Sequence, residues 1–403
     1  SAMSAAQWAA MMNADESYAG SDSFRRFEAA IRGLTGYAHV IPVHQGRAGE
    51  RILFGEVGGP GKVVPANTHF DTTRANVEST GAQAVDLPVA SAHEPMTDHP
   101  FKGNMDLGAL EALLARRAED VPLVLMTVTN NTVGGHPVSL ENLRAVAGLC
   151  AKYGVPMWLD AARFAENAYL IQQREPGQVS RTPREIAAEM FGLAQGCLMS
   201  AKKDAFANIG GFLAMQEPEL AAACRNSLIL TEGFPTYGGL AGRDLDAIAV
   251  GLDEVLDERY LEYRIRSVAY FAQGLEGAGI PVVKPAGGHA VYLDARAALP
   301  HLRPEELPAQ ALTCALYEAV GIRGVEVGSV MLGRRDPVSG AEIPAPMDLV
   351  RLAMPRRVYT QSHVDYMIGG AGDIMRSREE IGGLAITWQP PVLRHFTARF
   401  RRT

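Results

Sequence analysis

The 403-residue sequence predicts an α/β fold, with a large domain built on a mostly parallel sheet and a smaller α+β C-terminal domain. Three observations support this prediction. The chain is longer than one hydrophobic core usually requires, so two domains are expected. Short apolar segments alternate with helical patterns through the first part of the chain, which is typical of right-handed crossovers between parallel strands. Later, short strand-like segments surround one helical pattern, which is typical of an α+β domain.

The elements of the large domain are placed by helix caps and apolar runs. Asp106 and Ser139 are typical N-cap residues and predict helices over 107–118 and 140–153. Strands are predicted over 62–67, 82–87, 121–128, 155–159, 195–199 and 211–215, with a loop over 129–137. In a parallel sheet of this kind, ligands collect at the carboxyl ends of the strands.

The remaining sequence predicts the smaller domain. A long helical pattern over 253–277 links the two parts. It is followed by strand-like segments at 281–283, 290–293 and 349–354 and by a helical pattern over 308–321. We therefore expect a large domain over 1–262, and a linking helix with a small C-terminal domain over 263–403.

Composition excludes several classes of protein. Lys and Arg number 38 against 45 Asp and Glu, and the resulting net charge of -7 argues against a nucleic-acid-binding protein. The four cysteines lack CxxC spacing, so we expect reduced core thiols rather than disulfides or a zinc site. No apolar run reaches transmembrane length, which predicts a cytoplasmic protein without a membrane partner.

Residues with the chemistry of a pyridoxal phosphate (PLP) site fall at predicted strand ends. Asp160 ends one apolar strand, with Arg163 three residues later, and Ser200-Ala201-Lys202-Lys203 follows another strand. A PLP enzyme needs a lysine for the Schiff base and a carboxylate beside the pyridine nitrogen. Either motif alone could be a solvated lysine pair or a capping aspartate. The prediction therefore depends on their occurrence together, in this order.

Several further motifs are shared with a known family. They lie at 15–20, 44–47, 70–73, 101–104, 134–139, 163–169, 200–204, 233–240, 287–290 and 393–398. With these motifs in order from Met3 to Arg401, the sequence resembles the β-eliminating lyases. These are fold-type-I PLP enzymes that include tryptophan indole-lyases and tyrosine phenol-lyases. The resemblance implies the same fold and PLP as cofactor.

The resemblance implies a role for each candidate cofactor residue. Lys203 is expected to form the Schiff base, because the family's lysine is the second of the pair, with Lys202 beside the cofactor. The other implied contacts are Asp160 at the pyridine nitrogen, Phe70 stacked on the ring, Arg163 and Asn131 at the phenolate oxygen, and Gln45, Gly46, Arg47 and Ser200 around the phosphate. By residue type alone, the phenylalanine would be assigned to the core and the Gln-Gly-Arg segment to a turn. Arg351 and Asn131 are expected to contact the substrate, Arg351 through the α-carboxylate.

Three positions distinguish the two activities within this family. Phenol-lyases carry Arg where this chain has Val327, Thr where it has Asp71 and Phe where it has His395. An apolar valine suits the benzene ring of an indole, whereas arginine would bond a phenol hydroxyl. The resemblance therefore implies β-elimination of L-tryptophan to indole, pyruvate and ammonium. The tyrosine phenol-lyase reaction, which gives phenol instead, is the alternative.

The resemblance also implies proton donors, a cation site and an assembly. Tyr18 and Asp71 are expected to deliver the proton to the indole, with His395 in support. Tyr18 would act across a subunit interface of a homotetramer. Glu16 and the Asn208 carbonyl resemble a site for K⁺ or NH₄⁺. Family members carry a further N-terminal arm that lies against the active site and the cation, and this sequence begins after the position of that arm. The alternatives are a truncated chain and a natural variant that lacks part of the arm, and either one brings activity, tetramer packing and K⁺ binding into question.

Overall fold

A computed structural model describes residues 2–336 and 338–403. The chain divides into two compact units. Unit 1 runs up to Val89 and continues over Gly103–Asn130 and Pro137–Tyr263. Unit 2 comprises Ala90–Lys102, Asn131–His136 and Arg264–Thr403.

The elements of unit 1 alternate between strands and helices. In chain order they are α1 (Ala5–Met12), α2 (Asp22–Thr35), β1 (His39–Val43), α3 (Gly46–Val57), β2 (Val63–Ala66), α4 (Asp71–Ser79), β3 (Gln83–Asp86), α5 (Leu107–Arg117), β4 (Val124–Thr127), α6 (Leu140–Tyr153), β5 (Met157–Asp160), α7 (Phe164–Arg174), α8 (Pro183–Gly192), β6 (Gly196–Ser200), β7 (Gly211–Met215), α9 (Pro218–Thr231) and α10 (Gly242–Glu254). A further helix, α11 (Glu258–Gly277), begins in unit 1 and continues into unit 2.

A seven-stranded sheet forms the centre of unit 1, in the order β1-β7-β6-β5-β4-β2-β3. The pairs from β6 to β3 are parallel, whereas β7 is antiparallel to both β6 and β1. Because β7 is reversed against both neighbours, β1 runs in the same direction as β6. All the strands except β7 therefore end at the same edge of the sheet.

One hydrophobic core joins this sheet to α3, α4 and α9. Phe54 of α3, Val77 of α4 and Leu228 of α9 are fully buried in a cluster with Trp158 and Leu213 of the sheet. Full burial of one such side chain contributes about 1.5–3 kcal/mol to stability. The core thus fixes α3 and α4, which begin beside the strand ends.

Unit 2 is an α+β unit. After α11 its elements are β8 (Ala290–Asp294), α12 (Ala295–Ala298), α13 (Pro308–Val320), β9 (Val325–Val327), β10 (Arg334–Arg335), β11 (Glu342–Ile343), β12 (Leu349–Ala353), α14 (Gln361–Arg376), β13 (Leu384–Trp388) and β14 (Arg399–Arg402). The central sheet has the antiparallel order β8-β12-β9, with Arg351 opposite Tyr292. Its core includes Phe271 of α11, Leu312 of α13 and Ile374 of α14.

Most predicted elements are confirmed within three residues of their predicted bounds. The two predicted N-caps are also confirmed. The Asp106 side chain accepts a hydrogen bond from the Ala109 N–H, and Ser139 accepts one from Asn142. These bonds satisfy backbone donors that have no partner within the first helical turn.

The prediction of a single helix over 253–277 is wrong at its start. α10 ends at Glu254 and α11 begins at Glu258. Asp257 starts the second helix, because its Oδ1 accepts a hydrogen bond from the Tyr260 N–H at 2.9 Å. The apolar pattern continues across the break because Leu256 and Leu261 are both buried.

The strand predicted over 281–283 is also wrong. This segment forms only one antiparallel bridge, between Val282 and Leu293. Pro281 and Pro285 have no N–H with which to extend the pairing, so the ladder ends after one bridge.

Two expectations from composition can be compared with the structure. The four cysteines are free thiols, as their spacing predicted, and three of them are buried. Over residues 2–336 and 338–403, the structure contains no helix that is both long enough and apolar enough to cross a membrane.

Leu228→Ala should lower the free energy of unfolding by about 2–5 kcal/mol, because it leaves a cavity in the core of unit 1. The matched control is Leu230→Ala on the same helix, where the side chain is 87% exposed and the change should stay within about 0.5 kcal/mol. Urea denaturation followed by circular dichroism measures both variants. Equal losses would contradict the assignment of Leu228 to the core.

Candidate functional site

Residues from separate elements gather at the carboxyl edge of the unit 1 sheet. Gln45 follows β1, Phe70 follows β2, Asp160 ends β5 and Ser200 ends β6, with Lys203 three residues later. These strands share one direction, so their ends face the same side of the sheet. This is the edge where parallel sheets bind ligands.

A close contact between α3 and β6 forms one part of this edge. α3 starts at Gly46, and a Cβ built on this glycine would lie 2.7 Å from the Ser200 Cβ. Such a contact is too short for any side chain, so glycine is required for the approach. The first turn of α3, which includes the exposed Arg47, is thereby held against Ser200. Helix N-termini with unpaired N–H groups favour anions.

The two lysines after β6 differ in environment. Lys203 is half-buried, and its Nζ donates a hydrogen bond to Ser200 Oγ at 2.8 Å, whereas Lys202 is exposed. Burial, assisted by the positive charge of Arg163, lowers the pKa of Lys203 to about 8, although the negative charge of Asp160 opposes this shift. At pH 7 about a tenth of Lys203 is therefore the neutral amine that a nucleophile must be, far more than for an ordinary lysine.

Asp160 presents a carboxylate in the same place. Burial raises its pKa, and a hydrogen bond from the Ala162 N–H and the charges of Lys203 and Arg163 offset this only in part. The Arg163 carbonyl accepts a hydrogen bond from Thr129 Oγ1, which fixes the start of α7 beside β4. A cationic group next to Asp160 would further stabilise its charged form.

Phe70 and Asp71 begin α4. Phe70 occupies the N-cap position and is half-buried, whereas Asp71 is the first helical residue and is buried. The Asp71 Oδ1 accepts a hydrogen bond from the Thr72 N–H at 2.7 Å. The orientation of both side chains therefore depends on the placement of α4.

These unit 1 residues fit PLP. The glycine-permitted contact between α3 and Ser200 suits a phosphate, and the low-pKa amine of Lys203 suits an aldehyde. The buried carboxyl group of Asp160, in its charged form, suits a protonated ring nitrogen. The three chemical requirements of the cofactor are met by side chains at one sheet edge.

Unit 2 contains a separate polar cluster around Asn131. Its Oδ1 accepts hydrogen bonds from Arg351 Nη1 at 2.8 Å and from the Tyr292 hydroxyl at 2.7 Å, and lies 2.9 Å from His289 Nε2. An amide oxygen has two lone pairs, and Arg351 and Tyr292 both donate to it, so the His289 nitrogen, whose donor role depends on its tautomer, can only share them. Arg351 and Asn131, which we predicted separately, are thus direct neighbours within this unit.

The last two positions predicted to contact the leaving group also lie in unit 2. Val327, at the end of β9, is buried in a small cluster with Tyr292 and Leu349. His395 lies in a short helical turn with its ring 4.1 Å from that of Phe396. The preceding Arg394 is buried and donates hydrogen bonds to the carbonyls of Ser329 and Val330, which anchors this turn beyond β9.

The predicted proton donor and cation ligands of the N-terminal segment lie on the surface of unit 1. Tyr18 is 77% exposed, with its ring against Phe234 and Tyr237. Glu16 lies 3.9 Å from Arg243, and Asn208 is exposed between β6 and β7. The cation site therefore stays a prediction.

Four polar residues at these clusters were not singled out from the sequence. His289 and Arg394 lie within shared motifs, so the motifs themselves were a usable signal. Tyr292 occupies an apolar strand and Glu50 a helical pattern, and neither pattern indicates a polar contact. The fold brings Tyr292 to Asn131, with Arg351 opposite it in the sheet, and helix packing brings Glu50 to α4.

Comparison with known proteins gives the family of the chain. A profile of the family described as beta-eliminating lyase matches residues 1–369. The chain is 58% identical to a tryptophanase from Hyphomonas neptunium over 402 residues, covering 100% of this chain and 88% of the relative. It is 59% identical to a tryptophanase from Salinibacter ruber, covering 100% of this chain and 85% of the relative. A tyrosine phenol-lyase from Symbiobacterium is 47% identical, with 99% and 87% covered.

Solved structures support the fold independently. A serine palmitoyltransferase from Sphingomonas wittichii superimposes with a TM-score of 0.62 at 15% identity, covering 94% of this chain and 85% of that one. At this identity the likeness concerns the fold alone, which is that of the fold-type-I PLP enzymes. Taken with the full-length relatives, these findings show that the chain belongs to the β-eliminating lyase family.

Proposed function

We propose that this protein is a PLP-dependent carbon–carbon lyase that converts L-tryptophan and water to indole, pyruvate and ammonium. The observation that carries the reaction class is Lys203, whose amine is held by Ser200 beside Gly46 and has a pKa of about 8. The choice of tryptophan is supported by 58% and 59% identity to tryptophanases, against 47% to a tyrosine phenol-lyase.

Unit 1 would hold the cofactor through its sheet edge. We assign the phosphate to Gln45, Gly46, Arg47 and Ser200, the ring face to Phe70 and the ring nitrogen to Asp160. The phenolate oxygen is assigned to Arg163 and to Asn131 of unit 2. Lys203 forms the covalent link, and Lys202 takes a flanking position. When bound, PLP supplies an aldehyde for amine capture and a ring that accepts the electrons released at the substrate Cα. Asp160 keeps the ring nitrogen protonated, because an anionic carboxylate favours the charged form.

Lys203 would also act as the general base. With an amino acid held at this site, the neutral Nζ would remove the Cα proton of the substrate. The lowered pKa favours this step, since a base works best when its pKa lies near the operating pH. Ser200 Oγ, 2.8 Å from Nζ, orients the amine for the transfer.

Arg351 would bind the α-carboxylate of the substrate. One of its donors already contacts Asn131, and a guanidinium has five, so others remain for a carboxylate. His289 and Tyr292 hold the same Asn131 oxygen and therefore restrict where Asn131 and Arg351 can lie. A charge-assisted pair of this kind favours amino acids over amines as substrates.

The leaving group must receive a proton at the ring carbon attached to Cβ before the bond breaks. We assign delivery of this proton to Tyr18 and Asp71, with His395 in support and Val327 at the benzene ring. The exposed ring of Tyr18 is available to a neighbouring chain, which supports the proposal of a homotetramer with shared active sites. Activation by K⁺ or NH₄⁺ at Glu16 and Asn208 is part of the same proposal. The cytoplasmic location stays a prediction.

The unmodified protein should have a higher kcat/KM for tryptophan than for tyrosine, measured by indole and phenol release with PLP and K⁺ present. Val327→Arg should lower the tryptophan value at least about tenfold, because it desolvates a charge in an apolar cluster. It should not create an efficient phenol-lyase, since Asp71 and His395 remain. The matched control is Val338→Arg, where the side chain is 94% exposed. A ratio that favours tyrosine would replace this proposal with the phenol-lyase reaction.

Borohydride reduction of the PLP-loaded protein should attach the cofactor to Lys203, because this lysine is the half-buried amine at Ser200. Lys203→Ala should lose the yellow absorbance of bound PLP and the borohydride-stable label while keeping its far-UV circular dichroism. Lys202→Ala, the control at the exposed neighbour, should retain both. Peptide mapping identifies the labelled residue, and a label on Lys202 would contradict the assignment.

Capture of PLP by the cofactor-free protein should accelerate with pH and level off above about pH 8, because only the neutral amine of Lys203 reacts and its pKa is about 8. Below that value the rate should fall about tenfold for each pH unit. Stopped-flow absorbance measures the rate, and Nα-acetyl-lysine corrects for the protonation of PLP itself. A rate that still rises above pH 10 would indicate an unshifted lysine.

A further inference from the structure

Glu50 is a buried carboxylate to which no role has been given. It lies on α3, one turn after Gly46, and is 6% exposed. Its Oε1 accepts a hydrogen bond from Thr73 Oγ1 at 2.7 Å, and its Oε2 accepts one from Asn76 Nδ2 at 3.1 Å. Both donors belong to α4, so the carboxylate spans two helices.

The two helices begin at different parts of the candidate site. α3 starts at Gly46, against Ser200, where the phosphate is proposed to bind. α4 starts at Asp71, the proposed proton donor, directly after Phe70, the proposed ring-stacking residue. A carboxylate that bonds two residues of α4 at once restricts both the shift of that helix along its axis and its rotation. Glu50 thus links the phosphate end of the site to the end that holds the ring and the leaving group.

Packing alone does not account for a carboxylate at this position. Burying a charged group is unfavourable, and apolar residues of similar volume are often as stable or more stable. Burial and the charge of Asp160 raise the pKa of Glu50 to about 7, and its negative charge in turn favours the protonated form of Lys203. Glu50 is therefore close enough to the catalytic groups to affect them electrostatically.

We propose that Glu50 is a positioning residue, which through Thr73 and Asn76 sets the placement of Phe70 and Asp71 relative to the phosphate-binding start of α3. This inference rests on the proposed function, because it concerns the same cofactor and leaving group. It predicts that loss of the link affects proton delivery to the indole more than it affects capture of PLP.

The test compares Glu50→Gln and Thr73→Val with Glu56→Gln, a matched control on the exposed side of the same helix. Glutamine places an NH₂ group against one of the two donors, and valine removes one donor with little change in volume. Two substrates are used: tryptophan, and an S-aryl cysteine whose thiolate leaves without protonation at a ring carbon. The visible circular dichroism of bound PLP reports the ring's orientation, and hydrogen exchange of the 70–79 peptide in the cofactor-free protein reports the placement of α4.

Both variants should lower kcat for tryptophan by about 10- to 100-fold, the range expected for a displaced catalytic group. They should change kcat for the S-aryl cysteine less than about threefold, alter the visible circular dichroism and speed hydrogen exchange of the 70–79 peptide. Glu56→Gln should match the unmodified protein in every measurement. If Glu50→Gln does not fold, Thr73→Val decides the outcome alone.

Equal loss with both substrates, or unchanged circular dichroism and exchange, would overturn the positioning role while leaving the proposed function intact. An unmodified protein that neither binds PLP nor releases indole would overturn the proposed function, and this inference with it. The two failures are thus distinguished by the behaviour of the unmodified protein.

Discussion

The candidate site depends on the close approach of the α3 N-terminus to the end of β6. A side chain at position 46 would lie 2.7 Å from Ser200, so this approach requires glycine. The approach also requires β1 and β6 to run in one direction with β7 reversed between them. The helix N-terminus, the Ser200 hydroxyl and the Lys203 amine are then neighbours, and an anion and an aldehyde can be bound at adjacent points.

Burial shifts the pKa values of the basic and acidic groups at this site in opposite directions. It lowers the pKa of Lys203 to about 8 and raises those of Glu50, to about 7, and of Asp160. Each shift favours the neutral form, because a charge removed from water loses its solvation. For Lys203, the neutral form is the one that its proposed roles as nucleophile and base require. The Asp160 carboxylate regains its charge most readily when a cation lies beside it, as a protonated ring nitrogen would.

Unit 2 controls its polar residues by a different means, which is competition for one acceptor. The Asn131 amide oxygen has donors from Arg351, Tyr292 and His289 within hydrogen-bonding distance. Such an oxygen has only two lone pairs, and Arg351 donates to it through Nη1, so the other N–H groups of the guanidinium remain for another acceptor. An incoming carboxylate is an acceptor of higher charge than an amide. The arrangement therefore keeps Arg351 in place without fully satisfying it.

Local sequence determined much of the fold and the chemical types of the site. Asp106 and Ser139 indicated helix starts because N-capping bonds join residues only three apart in the chain. The positions of Asp160 and Lys203 at the sheet edge were predicted from the apolar strands that precede them. Motif resemblance added the other cofactor residues. The break between α10 and α11, and the single bridge at Val282, escaped prediction because buried apolar residues continue through both segments.

Tertiary structure alone decided the contacts between distant segments. Glu50 meets Thr73 because α3 packs beside α4. Tyr292 bonds Asn131 across 161 residues of sequence, and the register of β8 with β12 sets Tyr292 opposite Arg351, which bonds the same oxygen. The periodicity of apolar residues indicates which face of a helix or strand is buried, but not which polar group lies opposite it on the neighbouring element. Residue types and their order in the chain thus indicated which side chains have the chemistry of a PLP site, whereas the packing of helices and strands set which residues hold them in position.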